Sequence, residues 1–168
     1  LALRASRQFP DDPFEGVKRV FETVAMAKVA GSALEAKQMG LLRESDVVVY
    51  NSHELLHVAK AVAASLAEAG HRPPLPARNI AVAGDTGTAT FKSMLANMIE
   101  GRFISEHDFD IASRIADTLC GGDIERGSQV DEQWLLDLER KHFVELARTE
   151  KTQARIAHTM TTGKPLRN

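Results

Sequence analysis

Two histidines four residues apart with a glutamate between them, His53-Glu54-Leu55-Leu56-His57, spell the zinc-hydrolase pattern. In that pattern the imidazoles grip the metal and the carboxylate activates a water. A catalytic zinc also needs a third protein ligand in a dry cleft. The longer form of the motif would place a histidine at position 63, where this chain has Ala63. At about 100° per residue, Leu55, Val58, Ala59, Val62 and Leu66 gather on one side of a helix, with His53, His57, Lys60 and Ala64 roughly opposite. The expectation is a solvated face with two ordinary histidines, and no metal ligand is assigned.

Asp85-Thr86-Gly87-Thr88 carries the aspartic-protease triplet. That chemistry needs two carboxylates sharing a proton across a β-built dimer, which a helical chain does not offer. In the phosphorylation loop of a P-type ATPase the nucleophilic aspartate would stand where this chain has Gly84. The expected role is a turn whose Asp or Thr caps the following helix. Lys92-Ser93 follows Gly84 and Gly87 too late for a phosphate loop, and no G-x-G-x-x-G occurs, so no glycine signature for a nucleotide is present. Cys120, the single cysteine, has no neighbouring His or Cys and precedes Gly121-Gly122, as a structural thiol would. Trp134, Leu135, Leu138 and Phe143 stand at helical core spacing and read as packing residues. No catalytic, cofactor-binding or metal-ligating residue is assigned from spacing.

The elements that would position these groups are helical. Asp11-Asp12-Pro13 opens a helix over 13–30, carried by Phe14, Val17, Val20, Phe21 and Val24. Ser32-Ala33-Leu34-Glu35 has capping-box form ahead of a short helix stopped by Gly40. Val47–Tyr50 reads as one short strand or extended segment. Asn51-Ser52 then caps a long helix ending near Gly70. Three prolines within 71–76 mark the best internal boundary, dividing the chain into 1–72 and 73–168. Beyond it, Ile80–Ala83 is weakly extended, and helices are expected over 87–101, 106–119, 131–148 and 150–162. The fold class is mainly α, with at most one or two short strands.

The net charge of −2, with both signs mixed along the chain, provides no basic stripe for nucleic acid. No run approaches a membrane span, and the start lacks a signal-peptide pattern, so a cytoplasmic protein is expected. A chain that opens on Leu1 without Met suggests a fragment of something longer.

Phe21–Ala30 followed by Ser32–Leu42 resembles the helix–turn–helix stretch late in enoyl-CoA hydratase (crotonase) subunits. The segments Ile104–Asp108, Leu119–Asp123 and Trp134–Arg140, with the ending Glu150–Ile156 through Thr162–Asn168, are similar to the extreme C-terminus of bacterial multidomain 3-hydroxyacyl-CoA dehydrogenase/enoyl-CoA hydratase proteins of fatty acid β-oxidation. Nearly the whole chain takes part. The resemblance implies a parent with an NAD-binding dehydrogenase part first and a crotonase-like part last, acting on acyl-CoA thioesters. Residues 1–72 would then be crotonase-like terminal helices and 73–168 a helical extension. The family's oxyanion-hole turns, acid and base glutamates, glycine fingerprint and catalytic His–Glu pair match nothing here, so none of its catalytic residues is carried over and no cofactor is expected in this chain. The implied role is packing, closure of the acyl-CoA pocket or subunit contact, with the parent's upstream domains as partner and a homo-oligomer as its state. The stripe Val17, Val20, Phe21 and Val24 is one candidate for a face left bare. The alternatives are an autonomous helical interaction module and, remotely, a zinc hydrolase through His53 and His57.

Overall fold

The computed structural model describes all 168 residues, which form eight α-helices, one 3₁₀ turn and two strands of two residues each. The mainly α expectation holds. The chain folds into two units, one made of Leu1–Lys28 with Ala77–Asn168 and the other of Val29–Pro76. The expected division into 1–72 and 73–168 follows the prolines, whereas this grouping returns the first 28 residues to the later part of the chain.

In the first unit, α1 (Ala2–Gln8) and α2 (Pro13–Ala25) form a close pair. Asp12 starts α2 by accepting the amides of Phe14 (3.1 Å) and Glu15 (3.3 Å), with Pro13 in the first position, where no amide donor is needed. A Cβ on Gly16 would lie 2.7 Å from the Ala5 carbonyl oxygen, so only glycine allows the two helices to approach this closely. The helix expected to reach residue 30 ends at Ala25, and Ala27 follows with φ +47.

Helices α5 (Gly84–Glu100) and α6 (Glu106–Cys120) pack along one another and against α2. Phe91 is fully buried among them, its ring 4.2 Å from Phe21 and 4.9 Å from Phe14, with Leu95, Ala112, Ala116 and Cys120 completing the cluster. The small residues Ala112, Ala116 and Cys120 recur every fourth position, which brings the two helix backbones close. Ser105 and Asp108 form a reciprocal capping box at the start of α6, and Gly121 closes it in the left-handed conformation.

Strand β1 (Ile80–Ala81) pairs antiparallel with β2 (Gln129–Val130), Ile80 opposite Val130. Ile80, Val82 and Val130 make a second small core with Leu3, Ala77, Ile124 and Leu135. The extended reading of Ile80–Ala83 holds for its first half. Its partner strand carries almost no sequence signal, because two residues show no alternation. Helices α7 (Glu132–Ala147), capped by Asp131, and α8 (Glu150–Thr162), capped by Thr149, complete the unit.

The second unit holds α3 (Ala33–Gln38), a 3₁₀ turn over Ser52–Glu54 and α4 (Leu55–Glu68). Ser32 caps α3 through the Glu35 amide at 3.1 Å, while the Glu35 carboxylate accepts from Gly31 at 2.6 Å. Gly40 adopts φ +74 at the expected stop. Val47–Tyr50, read as a short strand or extended segment, forms no strand: the one sheet pairs β1 with β2.

Candidate functional site

His53 lies in the 3₁₀ turn and His57 in α4, and both are exposed. No group of three His, Cys, Asp or Glu is placed to hold a metal ion. The opposite side of α4 does not serve as a core face either: Leu55 is 58% exposed and Leu66 45%. With Val47, Val49 and Val58 these residues line a shallow apolar groove.

Asp85 sits inside the first turn of α5 rather than ahead of it: the helix expected to start at 87 starts at Gly84, and Ala83, not Asp85 or Thr86, stands at its cap. Asp85 Oδ1 accepts the Thr86 amide at 2.6 Å, and the Asp85 amide donates to the Ile124 carbonyl at 2.8 Å. Gly84 opens the helix at φ +65, where a Cβ would meet the Ile124 oxygen at 2.3 Å. The triplet is therefore part of a tight contact between α5 and the loop after α6.

Cys120 is fully buried, and burial pushes its thiol up to about 11 against a smaller opposing effect of the Thr88 hydrogen bond. A thiol held protonated in this way is a packing group. The packing role read for α7 needs correction: Trp134 is 45% exposed and Phe143 67%, and no residue of the helix is fully buried. Leu135 and Leu138 are half-buried, and Trp134 is anchored by its indole N–H, which donates to the Gly121 carbonyl at 2.8 Å.

An open groove of about 490 Å³ lies in the first unit where the start of α1 meets α6 and α7. Leu1, Leu3, Ile80, Ile115, Leu135 and Phe143 supply most of its apolar wall. Two of its polar members, Arg114 and His142, are paired with carboxylates outside its lining. Arg114 donates through Nε to Asp110 at 3.0 Å and through Nη1 to Glu145. Burial works against the Arg114 charge, but these two hydrogen bonds outweigh it and raise its pKa, and the Arg114 hydrogen bond lowers that of Glu145. His142 Nε2 lies 2.7 Å from Asp117 Oδ2, while its buried Nδ1 has no partner. No spacing rule draws attention to this set, because its members come from helices separated by a loop and a strand.

A second polar cluster fixes α8 to the start of α6. Arg155 donates to Asp108 Oδ1 at 2.7 Å and to the Asn168 side chain at 2.8 Å. Burial alone would raise the Asp108 pKa, but hydrogen bonds from the Ser105 backbone, Arg155 and the Ser105 hydroxyl outweigh it and hold the carboxyl below its usual value. His107, buried beside the cluster with Nε2 3.0 Å from Thr152 Oγ1, has its pKa lowered by burial and by the Arg155 charge.

The class these features define is a mainly α region whose charged and polar clusters join its own helices and whose apolar grooves remain open. Over 157 residues, 94% of its length, the chain is 44% identical to a Bacillus subtilis (strain 168) protein named "Probable 3-hydroxyacyl-CoA dehydrogenase". It spans only 20% of that curated relative. No family model and no solved structure matches the chain. No helix is long and apolar enough to cross a membrane.

Proposed function

We propose that this chain is the helical C-terminal region of a fatty acid β-oxidation enzyme of the 3-hydroxyacyl-CoA dehydrogenase/enoyl-CoA hydratase type. The observation that carries the reading is the 44% identity sustained over 94% of the chain to a protein about five times the matched length that bears the dehydrogenase name. Its role is to pack against the rest of that enzyme, close the acyl-CoA pocket and make subunit contacts. NAD and the acyl-CoA substrate belong to the parent, and no residue of this chain carries the parent's chemistry. The enzyme is cytoplasmic and homo-oligomeric. The open grooves support a packing role, because apolar surface of this kind is stabilised when something covers it. An autonomous interaction module would share those grooves but leaves the length of the relative unexplained. A zinc hydrolase lacks support from the positions of His53 and His57.

Two measurements test the reading. The reading frame upstream of Leu1 should encode a dehydrogenase with its dinucleotide turn. The longer protein should oxidise 3-hydroxyacyl-CoA with NAD and hydrate crotonyl-CoA, whereas the 168-residue chain should do neither. Missing oxyanion donors forgo roughly 10²–10³-fold and a missing acid and base roughly 10²–10⁴-fold. Activity of the short chain within about tenfold of the longer protein would place a complete site in these residues and sink the proposal.

A further inference from the structure

The groove at the start of α1 combines three features that together name an occupant. Its wall is apolar and unfilled: Leu1 (44% exposed), Leu136 (45%) and Phe143 (67%) stand open around it. Arg114, the one guanidinium among its lining side chains, is already held by Asp110 and Glu145, and the Leu1 ammonium, which stands beside Glu139, Glu132 and Arg4, becomes an uncharged amide once the polypeptide continues upstream. Glu132 and Glu139 also line it, leaving the polar edge acidic. A CoA ester, which carries several phosphate charges, is poorly matched to such an edge. Apolar side chains accompanied by a basic residue are well matched. The first residue described is itself part of the wall, so polypeptide continuing before Leu1 would run directly past the opening.

We infer that the groove between α1, α6 and α7 is the seat of an apolar segment of the longer polypeptide, close before Leu1 in sequence and carrying a Lys or Arg beside its apolar side chains. The inference rests on the proposed function in requiring a longer polypeptide. The occupied groove would cover Phe143, Leu136 and the Leu3–Ile80 wall, adding α7 to a core that at present it only borders. The acidic edge selects the basic residue and thereby the register of the segment.

Thiol labelling of Phe143→Cys tests this, in both the 168-residue chain and the longer polypeptide. The native Cys120 is fully buried with its thiol protonated, so an added maleimide reads position 143. Phe143 is mostly exposed in this chain, so the variant should retain the native far-UV circular dichroism, and Leu136→Cys provides a second site on the same rim. In the short chain both cysteines should label at the rate of an open thiol. In the longer polypeptide they should label about tenfold more slowly or less, independent of protein concentration. Equal rates in the two proteins would overturn the inference while leaving the proposed function standing. Slow labelling of the short chain that is relieved by dilution would assign the groove to a second copy and overturn it. Slowing in the longer polypeptide only when octanoyl-CoA is added would assign it to a ligand, with the same consequence. A reading frame without upstream coding sequence would refute the proposed function and this inference together.

Discussion

Replacing Phe91 by alanine should remove the residue that joins three helices. Its side chain is fully buried, with the Phe21 ring at 4.2 Å and the Phe14 ring at 4.9 Å, so α2, α5 and α6 all lose contacts at once. Truncation of a buried phenylalanine costs about 3–5 kcal/mol, and the upper part of that range applies where two aromatic neighbours are left facing a void. About 4 kcal/mol is a large share of the roughly 5–15 kcal/mol that holds a domain folded. With a urea slope of roughly 2 kcal/mol per molar, the midpoint should fall by about 2 M. Trp134, the single tryptophan, lies in the same unit and reports the transition by fluorescence. Met160→Ala, at a position 85% exposed on α8, is the control and should change stability by about 0.5 kcal/mol or less. A Phe91→Ala loss under about 1.5 kcal/mol, or one equal to that control, would show that the cluster does not hold the three helices together.

Arg155→Met should destabilise the fold by roughly 2–4 kcal/mol, because it strands the partly buried Asp108. The folded pKa of Asp108 is lowered, so its stabilising contribution is present above the ordinary carboxylate value and is lost as pH falls through the folded one. Urea midpoints between about pH 5 and pH 2 should therefore fall steeply for the native chain and less steeply for the variant, and parallel curves would contradict this assignment. Gly84→Ala should cost about 3 kcal/mol or more, since it adds a collision with the Ile124 oxygen to the left-handed strain. Gly127→Ala, with φ +83 but open space around it, should cost only about 1–2 kcal/mol, and equal losses in the two would discount the collision. Cys120 should react with a maleimide only after denaturant is added. Rapid native labelling would show that the α5–α6 contact opens readily.

Local chemistry accounts for what could be read from the sequence alone. Asp12-Pro13, Ser105 with Asp108, Asp131 and Thr149 each satisfy amides within three residues of themselves, so these helix starts are fixed by neighbours in the chain. Resemblance in the later segments pointed to the dehydrogenase name that the 44% identity also carries.

What only the tertiary structure decided depends on residues far apart in sequence. A helical period marks an apolar face but does not say what meets it. Of the stripe Val17, Val20, Phe21 and Val24, a candidate for bare surface, Val17 and Phe21 are buried in the cluster with Phe91 while Val24 stays 36% exposed, and Leu55 and Leu66, which gather on the side of their helix opposite the histidines, are exposed too. The strand pairing Ile80 with Val130, the return of α1 and α2 to the later helices, and the groove they share with α7 all arise from contacts across dozens of residues. Chain topology sets those contacts, and no local propensity encodes it.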